Sequence, residues 1–186
     1  WRSAKADPAR PRVGCATLRP VPVADSGIHV VVPTFNEAGN VEPLVAALLD
    51  SMPAGTRITI GDDSSPDGTG AVADRLAGLH VTVDVLHRRA KEGIGPAYVA
   101  GFRHALAGDA GLILQMDADF SHDPAEAPKL VAAAESADLV LGSRYVEGGE
   151  VAEWGKRRLA ISRWGSVYAR RWLGLDIQDL TGGFKC

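Results

Sequence analysis

The sequence predicts an α/β domain built on a mostly parallel sheet flanked by helices. Three observations carry that expectation. Short β-branched or apolar runs recur along the chain: Ile28-His29-Val30-Val31-Val32, Arg57-Ile58-Thr59-Ile60, Val81-Thr82-Val83-Asp84-Val85-Leu86 and Leu112-Ile113-Leu114-Gln115-Met116. Stretches with apolar residues at helical spacing separate them, a pattern that reads as strands alternating with helices. Each run is also followed within two residues by a polar or charged residue, and ligands bind beyond the carboxyl ends of the strands in an open parallel sheet.

Bulk properties narrow the class. The 186 residues suit one domain with a proper core. A net charge of -3 argues against a nucleic-acid partner. No apolar stretch approaches the ~20 residues that span a bilayer. Cys15 and Cys186 lack metal-ligand spacing, imply no disulfide framework and fit a reducing compartment. The chain opens on Trp1 and closes on Gly182-Gly183-Phe184-Lys185-Cys186, and is expected to be a fragment at both ends. Residues 1–27 hold Pro8, Pro11, Pro20 and Pro22 without any period. They read as a disordered leader without the apolar centre of a signal peptide, ahead of a domain at 28–186.

The first strand is expected to end at Pro33, which cannot donate to a ladder. Thr34-Phe35-Asn36-Glu37 follows as a loop, and Val41, Leu44, Val45, Leu48 and Leu49 mark a helix that Asn36 is placed to cap. The second strand ends in Asp62 and Asp63, and Asp67-Gly68 is a strong turn signal before the next helix. The third leads to Arg88, Arg89 and Lys91, then to Gly93 and Gly95, which let backbone pass close to a ligand. The next helix carries Ala97, Val99, Ala100, Phe102, Ala105 and Leu106.

The fourth strand stops at Asp117-Ala118-Asp119-Phe120-Ser121-His122-Asp123-Pro124. Two acids this close repel unless a cation joins them. Mg²⁺ or Mn²⁺ shared with a substrate diphosphate relieves that repulsion. The alternative is a turn in which Asp119 or Ser121 caps the helix that starts near Pro124. That helix is expected over 126–136, and a further strand over 138–142 precedes Ser143-Arg144-Tyr145. Arg144 there is either a surface cation or an anion clamp. A helix over 156–173 places Arg158 and Ser162 as an i, i+4 pair able to reach one anion. Its basic residues, Trp and Tyr suit either an anionic membrane surface or an ordinary core helix with a solvated basic face.

Six pieces in order resemble glycosyltransferase family 2, the inverting transferases with a GT-A-type, Rossmann-like sandwich, and within it the dolichol-phosphate (polyprenol-phosphate) mannose synthases. They are Pro33-Thr34-Phe35-Asn36-Glu37, Asp62-Asp63-Ser64-Ser65-Pro66-Asp67-Gly68-Thr69, Lys91-Glu92-Gly93-Ile94-Gly95-Pro96-Ala97-Tyr98, Met116-Asp117-Ala118-Asp119-Phe120-Ser121-His122-Asp123-Pro124, Gly142-Ser143-Arg144-Tyr145 and Asp179-Leu180-Thr181-Gly182-Gly183-Phe184. Together they cover residues 30–186. The Ser-Pro-Asp-Gly-Thr and Asp-Phe-Ser-His forms favour the mannose branch over glucose-transferring relatives.

The resemblance implies transfer of mannose from GDP-mannose to a polyprenyl or dolichyl phosphate, with inversion, by a peripheral enzyme on the cytoplasmic face of a membrane. It implies a divalent metal at Asp117, Asp119 and Ser121. Pro33, Phe35, Glu37, Gly61, Asp63, Asp117, Ala118, Asp119 and Arg144 match the nucleotide-sugar positions. Phe35 stands for the family's usual Tyr, and Gly61 for its Val or Ile. Arg144, Arg158 and Ser162 match the acceptor-phosphate positions, and a membrane-anchoring partner is a further expectation. Asp117, Asp119 and Arg144 are expected to carry the chemistry. The family continues past the segment matched by Phe184, so the expected domain is incomplete at its C-terminal end. Rival readings are a UDP-glucose-dependent glucosyltransferase, a nucleotidyltransferase, and a non-catalytic nucleotide-sugar-binding module.

Overall fold

In the computed structural model, residues 27–142 and 182–186 are described. Four strands form one sheet: β1 (Gly27–Thr34), β2 (Arg57–Asp62), β3 (Val83–His87) and β4 (Ala110–Gln115). All three pairings are parallel, in the order β3-β2-β1-β4. Parallel neighbours need crossovers. These are α1 (Val41–Ser51), α2 (Thr69–Leu79) and α3 (Ile94–Ala107). After β4, a 3-10 turn (Pro124–Glu126) runs into α4 (Ala127–Ala133) and a second 3-10 turn (Ala134–Ser136).

The two sheet faces differ. Val30 and Val32 of β1, Ile58 and Ile60 of β2, and Leu114 of β4 point into the main core with Leu44 and Leu48 of α1, Leu76 of α2 and Leu130 of α4. Val31 points the other way, to a smaller cluster with Tyr98 and Ala105 of α3. This two-sided burial explains the unbroken apolar runs. The buried residues of α3 are Ala97, Tyr98, Gly101 and Ala105. Val99 and Leu106, two of the apolar residues that mark this helix in the sequence, are exposed. A Cβ on Gly101 would overlap Val31 Cγ1, so glycine is what lets α3 lie this close to β1.

Several boundaries depart from expectation. β1 runs through Pro33, which pairs in register with Gly61. Proline lacks only a donor, and the ladder continues because the Thr34 carbonyl accepts from Asp63 N–H at 3.1 Å. β2 includes Asp62. β3 starts at Val83, leaving Val81 exposed. Asn36 does not cap α1: its φ of 60° is left-handed, and the N-cap is Asn40. Neither Asp119 nor Ser121 caps the turn at Pro124; Asp123 does, its Oδ1 accepting from Ala125 N–H at 2.9 Å.

The strand expected over 138–142 forms a single bridge, Leu141 to Lys185. It does not extend the parallel sheet directly. Lys185 pairs antiparallel with both Gln115 and Leu141, so residues 184–186 lie between β4 and 140–142. The sheet is therefore mostly parallel with one antiparallel strip. The leader (apart from Gly27, which opens β1), Arg144, the helix over 156–173, Arg158 and Ser162 lie outside the described residues.

Gly101→Ala is predicted to destabilise the fold by about 1–3 kcal/mol through overpacking against Val31. Pairing it with Val31→Ala should recover part of that loss. Urea unfolding of the three variants checks it, and a Gly101→Ala protein as stable as wild type contradicts the packing argument.

Candidate nucleotide-sugar site

Strand order places the site. Chain order runs outward from β1 to β3, then returns across the sheet to β4 on the other side of β1. The β1/β4 boundary is a topological switch point, where open parallel sheets leave a crevice at their carboxyl edge. A cleft of about 330 Å³ opens there, lined by Pro33, Thr34, Phe35, Glu37, Asp63, Lys91, Gly93, Ile94, Ala97, Asp117, Ala118 and Asp119. Seven positions expected in the site thus come together: Pro33, Phe35, Glu37, Asp63, Asp117, Ala118 and Asp119. Gly61 does not line the cleft; it is buried in β2 opposite Pro33. Ser121 lies two residues from Asp119 and donates its N–H to Asp119 Oδ1 at 3.0 Å.

Side chains stitch the loops after β1 and β2 together. Asn36 N–H donates to Ser65 Oγ at 3.1 Å, and Glu37 N–H to Thr69 Oγ1 at 2.9 Å. Asp67 accepts the Ala38 N–H at 3.1 Å through Oδ2, and the Thr69 N–H and hydroxyl through Oδ1 at 3.0 and 2.6 Å. Asp62 is turned inward and accepts from the Ser65 hydroxyl and N–H at 2.5 and 3.2 Å. Of the two acids ending β2, only Asp63 therefore reaches the cleft. The non-glycine residues with left-handed φ among those described are Asn36, Ser64 and Phe120, in the loops after β1, β2 and β4. Backbone strain of this kind gathers at functional edges because surrounding contacts over-determine it.

Each acid in the cleft has a partner. Arg88 Nη1 donates to Asp63 Oδ1 at 2.5 Å, and Arg88 Nη2 to Glu92 at 2.7 Å. Arg88 is thus neither a solvated surface cation nor a free phosphate ligand. Asn40 Nδ2 donates to Glu37 Oε2 at 2.7 Å. The Tyr98 hydroxyl donates to Asp117 Oδ1 at 2.7 Å. Burial, with the Asp117 charge added, pushes the Tyr98 pKa well up and keeps the phenol a donor. Partial burial by itself raises the Asp119 carboxyl, but hydrogen bonds from Ser121 and from its own backbone, with the charge of His122, together hold Asp119 below the usual carboxylate range.

Lys91 is the cation among the described lining residues, its Nζ 3.9 Å from the centre of the Phe35 ring. Gly93, which opens α3, has a φ of 101° that favours glycine. Gly95 is inside the helix and needs no such freedom. Thr34, Ile94, Ala97 and Tyr98 are site neighbours that sequence reasoning did not single out. Tyr98 carried one usable signal: a core-facing tyrosine near a helix start at the carboxyl edge needs a partner for its hydroxyl.

The chemistry of the donor set fits a hard divalent cation. Asp117 and Asp119 offer carboxylate oxygens, and among the described residues no three of His, Cys, Asp and Glu gather to enclose an ion. Mg²⁺ and Mn²⁺ commonly take one or two carboxylates and complete their shell with water and substrate phosphates. Among the described residues, the lining holds four acids against one lysine. An anionic diphosphate entering such a cleft needs a cation between.

The family model for glycosyl transferase family 2 matches residues 29–186. The chain belongs to that family. An undecaprenyl-phosphate mannosyltransferase of Micrococcus luteus is 43% identical over 158 residues, covering 85% of this chain and 65% of the relative. A polyprenol monophosphomannose synthase of Mycolicibacterium smegmatis is 42% identical, covering 91% and 63%. A dolichol-phosphate mannosyltransferase of Pyrococcus furiosus is 35% identical, covering 84% and 45%. The chain thus spans less than two thirds of the length of each of these relatives. Among solved structures, a glucosyl-3-phosphoglycerate synthase of Mycobacterium tuberculosis with Mn²⁺, UDP and phosphoglyceric acid superposes with a TM-score of 0.63 at 20% identity, covering 87% of this chain and 55% of the other. A mannosyltransferase of Pyrobaculum calidifontis in complex with GDP-Man and Mn²⁺ gives 0.51 at 22%, covering 64% and 34%. Both likenesses are of fold, and they bear out the expected GT-A architecture of this family-2 chain.

The loop stitching has a pH signature. Hydrogen bonding, chiefly from the Thr69 hydroxyl, holds the Asp67 carboxyl below its ordinary value. A carboxyl lowered on folding contributes fully above its unfolded pKa of about 4 and loses that contribution as pH falls through the folded value. The melting midpoint is predicted to drop on acidification below about pH 4, and Asp67→Asn to flatten that drop. Scanning calorimetry from pH 7 to pH 2 checks it; parallel profiles for the two proteins contradict it.

Proposed function

We propose that the protein transfers mannose from GDP-mannose to a polyprenyl phosphate with inversion at the sugar carbon, releasing GDP. The observation that carries this reading is the gathering of Pro33, Phe35, Glu37, Asp63, Asp117, Ala118 and Asp119 in one cleft at the sheet's carboxyl edge. The names of the relatives at 42–43% identity, both polyprenyl-phosphate mannose transferases, support the acceptor class and the sugar. The donor nucleotide is this reading's own assignment.

The chemistry needs little from the protein beyond charge and position. A lipid phosphate is already ionised near neutral pH, so no general base has to make the nucleophile. What remains is to hold two anions together and to stabilise the departing diphosphate. Asp117 and Asp119, with Ser121 beside them, would hold a divalent ion, which when bound supplies charge neutralisation for the leaving GDP. Asp63, Phe35 and Glu37 bind the nucleotide, and Lys91 stands beside the diphosphate path. Arg144, Arg158 and Ser162, outside the described residues, receive the acceptor phosphate and orient it for in-line attack. None of the described helices is long and apolar enough to cross a membrane. The lipid acceptor is met at a membrane surface, and the basic segment over 156–173 or an anchoring partner makes that contact.

Asp119→Ala is predicted to cut mannose transfer by at least a hundredfold while leaving the melting midpoint unchanged. Near-normal turnover across a Mn²⁺ titration would remove Asp119 from the site. Arg158→Ala should raise the KM for the lipid phosphate at least tenfold more than that for the nucleotide sugar; an unchanged lipid KM takes Arg158 out of the acceptor site. GDP-mannose should protect the protein against thermal unfolding in the presence of metal, whereas UDP-glucose should not. The reverse preference overturns the donor assignment.

A further inference from the structure

Asp117 is held from two sides by residues with no assigned part in the reaction. On one side is α3, whose Tyr98 hydroxyl donates to Asp117 Oδ1 at 2.7 Å. Tyr98 is buried and its ring packs against Phe102, with centroids 5.8 Å apart, so the hydroxyl sits on a fixed mount. On the other side is the antiparallel strip, where Gly183 lies so close that a Cβ on it would overlap the carboxylate at Oδ2. Gly183 is itself fixed: its carbonyl accepts from Gln115 Nε2 at 3.1 Å, and the neighbouring Lys185 pairs with Gln115 through both backbone bonds, at 2.8 and 3.2 Å. Gln115 is the last residue of β4, two before Asp117. Helix, strand end and strip therefore converge on one carboxylate.

We propose that Tyr98 and Gly183 are positioning residues that lock the Asp117 carboxylate in a single orientation for the metal–diphosphate of the donor. The second side-chain torsion of an aspartate is broad, so a free carboxylate at a strand end samples many planes. The Tyr98 hydroxyl takes one lone pair of Oδ1, and Gly183, having no side chain, leaves Oδ2 the room that a Cβ would fill. Asp117 would then meet a cation with its carboxylate already oriented. Outer-shell partners of metal ligands act in this way, and losing one typically weakens metal binding 10–100-fold. The glycine is required by closeness to Asp117, since its φ is not in the left-handed range.

The inference rests on the proposed function, and the test separates the two. Mn²⁺ binding is measured on the intact protein by electron paramagnetic resonance of free Mn²⁺, with GDP present, alongside GDP binding without metal and the melting midpoint. Tyr98→Phe, which removes one oxygen and keeps the ring, is expected to weaken Mn²⁺ binding at least tenfold with metal-free GDP affinity and midpoint unchanged. Gly183→Ala, acting from the opposite side, is expected to weaken Mn²⁺ binding at least tenfold with metal-free GDP affinity unchanged, and to lower the midpoint because the added Cβ overpacks against Asp117. In an Asp117→Asn background, Tyr98→Phe should add nothing further. Wild-type Mn²⁺ affinity in both variants overturns the inference alone. So does an equal loss of metal-free GDP binding, or a Tyr98→Phe effect that persists without the Asp117 carboxylate. Failure of the wild-type protein to bind Mn²⁺ with GDP overturns the proposed function and the inference together.

Discussion

The position of β1 is the constraint on which the rest depends. It is hydrogen-bonded on both edges, to β2 and to β4, in parallel register. It is also covered on both faces, by the main core and by the α3 cluster. A strand so enclosed cannot slip by one residue without turning Val30 and Val32 out of their core. Its register therefore fixes where the ends of β2 and β4 fall, and so the distance between Phe35, Asp63 and Asp117. Chain reversal between β1 and β4 then leaves the crevice that those three share. The cleft is a consequence of strand order before it is a consequence of any one side chain.

What turns a crevice into a site is the satisfaction of its polar groups. Asp62, Asp67, Ser65 and Thr69 are spent on backbone and loop contacts that tie the β1 and β2 loops together. Arg88 neutralises Asp63, and Tyr98 engages Asp117. The lysine that remains rests on the Phe35 ring and is available to an incoming anion. Such a cleft is ordered before the donor arrives, and preorganised polar groups do not reorganise as charge develops. On the proposed reading, the residual negative charge of the described lining is what calls for a cation with the diphosphate.

Much of this was legible in the sequence where the signal was local. The four strands, the helices between them and the acids beyond β4 follow from apolar runs and their ends. What was missed depends on partners far along the chain. Asn36 has the chemistry of a helix cap, but Ser65, 29 residues away, holds its backbone in a left-handed turn. Arg88 reads as a surface or phosphate cation until β2 and β3 pair and bring Asp63 against it. Gly61, a base contact by resemblance, is sealed into the sheet beside Pro33. The strip at 184–186 could not be placed from its few residues, because its pairing with Gln115 and Leu141 is set by a chain reversal no local pattern announces.

The central claim is that the carboxyl edge of β4 holds a divalent ion together with a nucleotide-sugar diphosphate. Crystals grown with Mn²⁺ and GDP-mannose, measured at the manganese absorption edge, test it most directly. One anomalous peak is predicted in the cleft, within about 2.2 Å of an Asp119 carboxylate oxygen and of a donor phosphate oxygen. An ordered GDP-mannose in the cleft with no anomalous peak beside Asp117 and Asp119, or a manganese bound elsewhere, would contradict it.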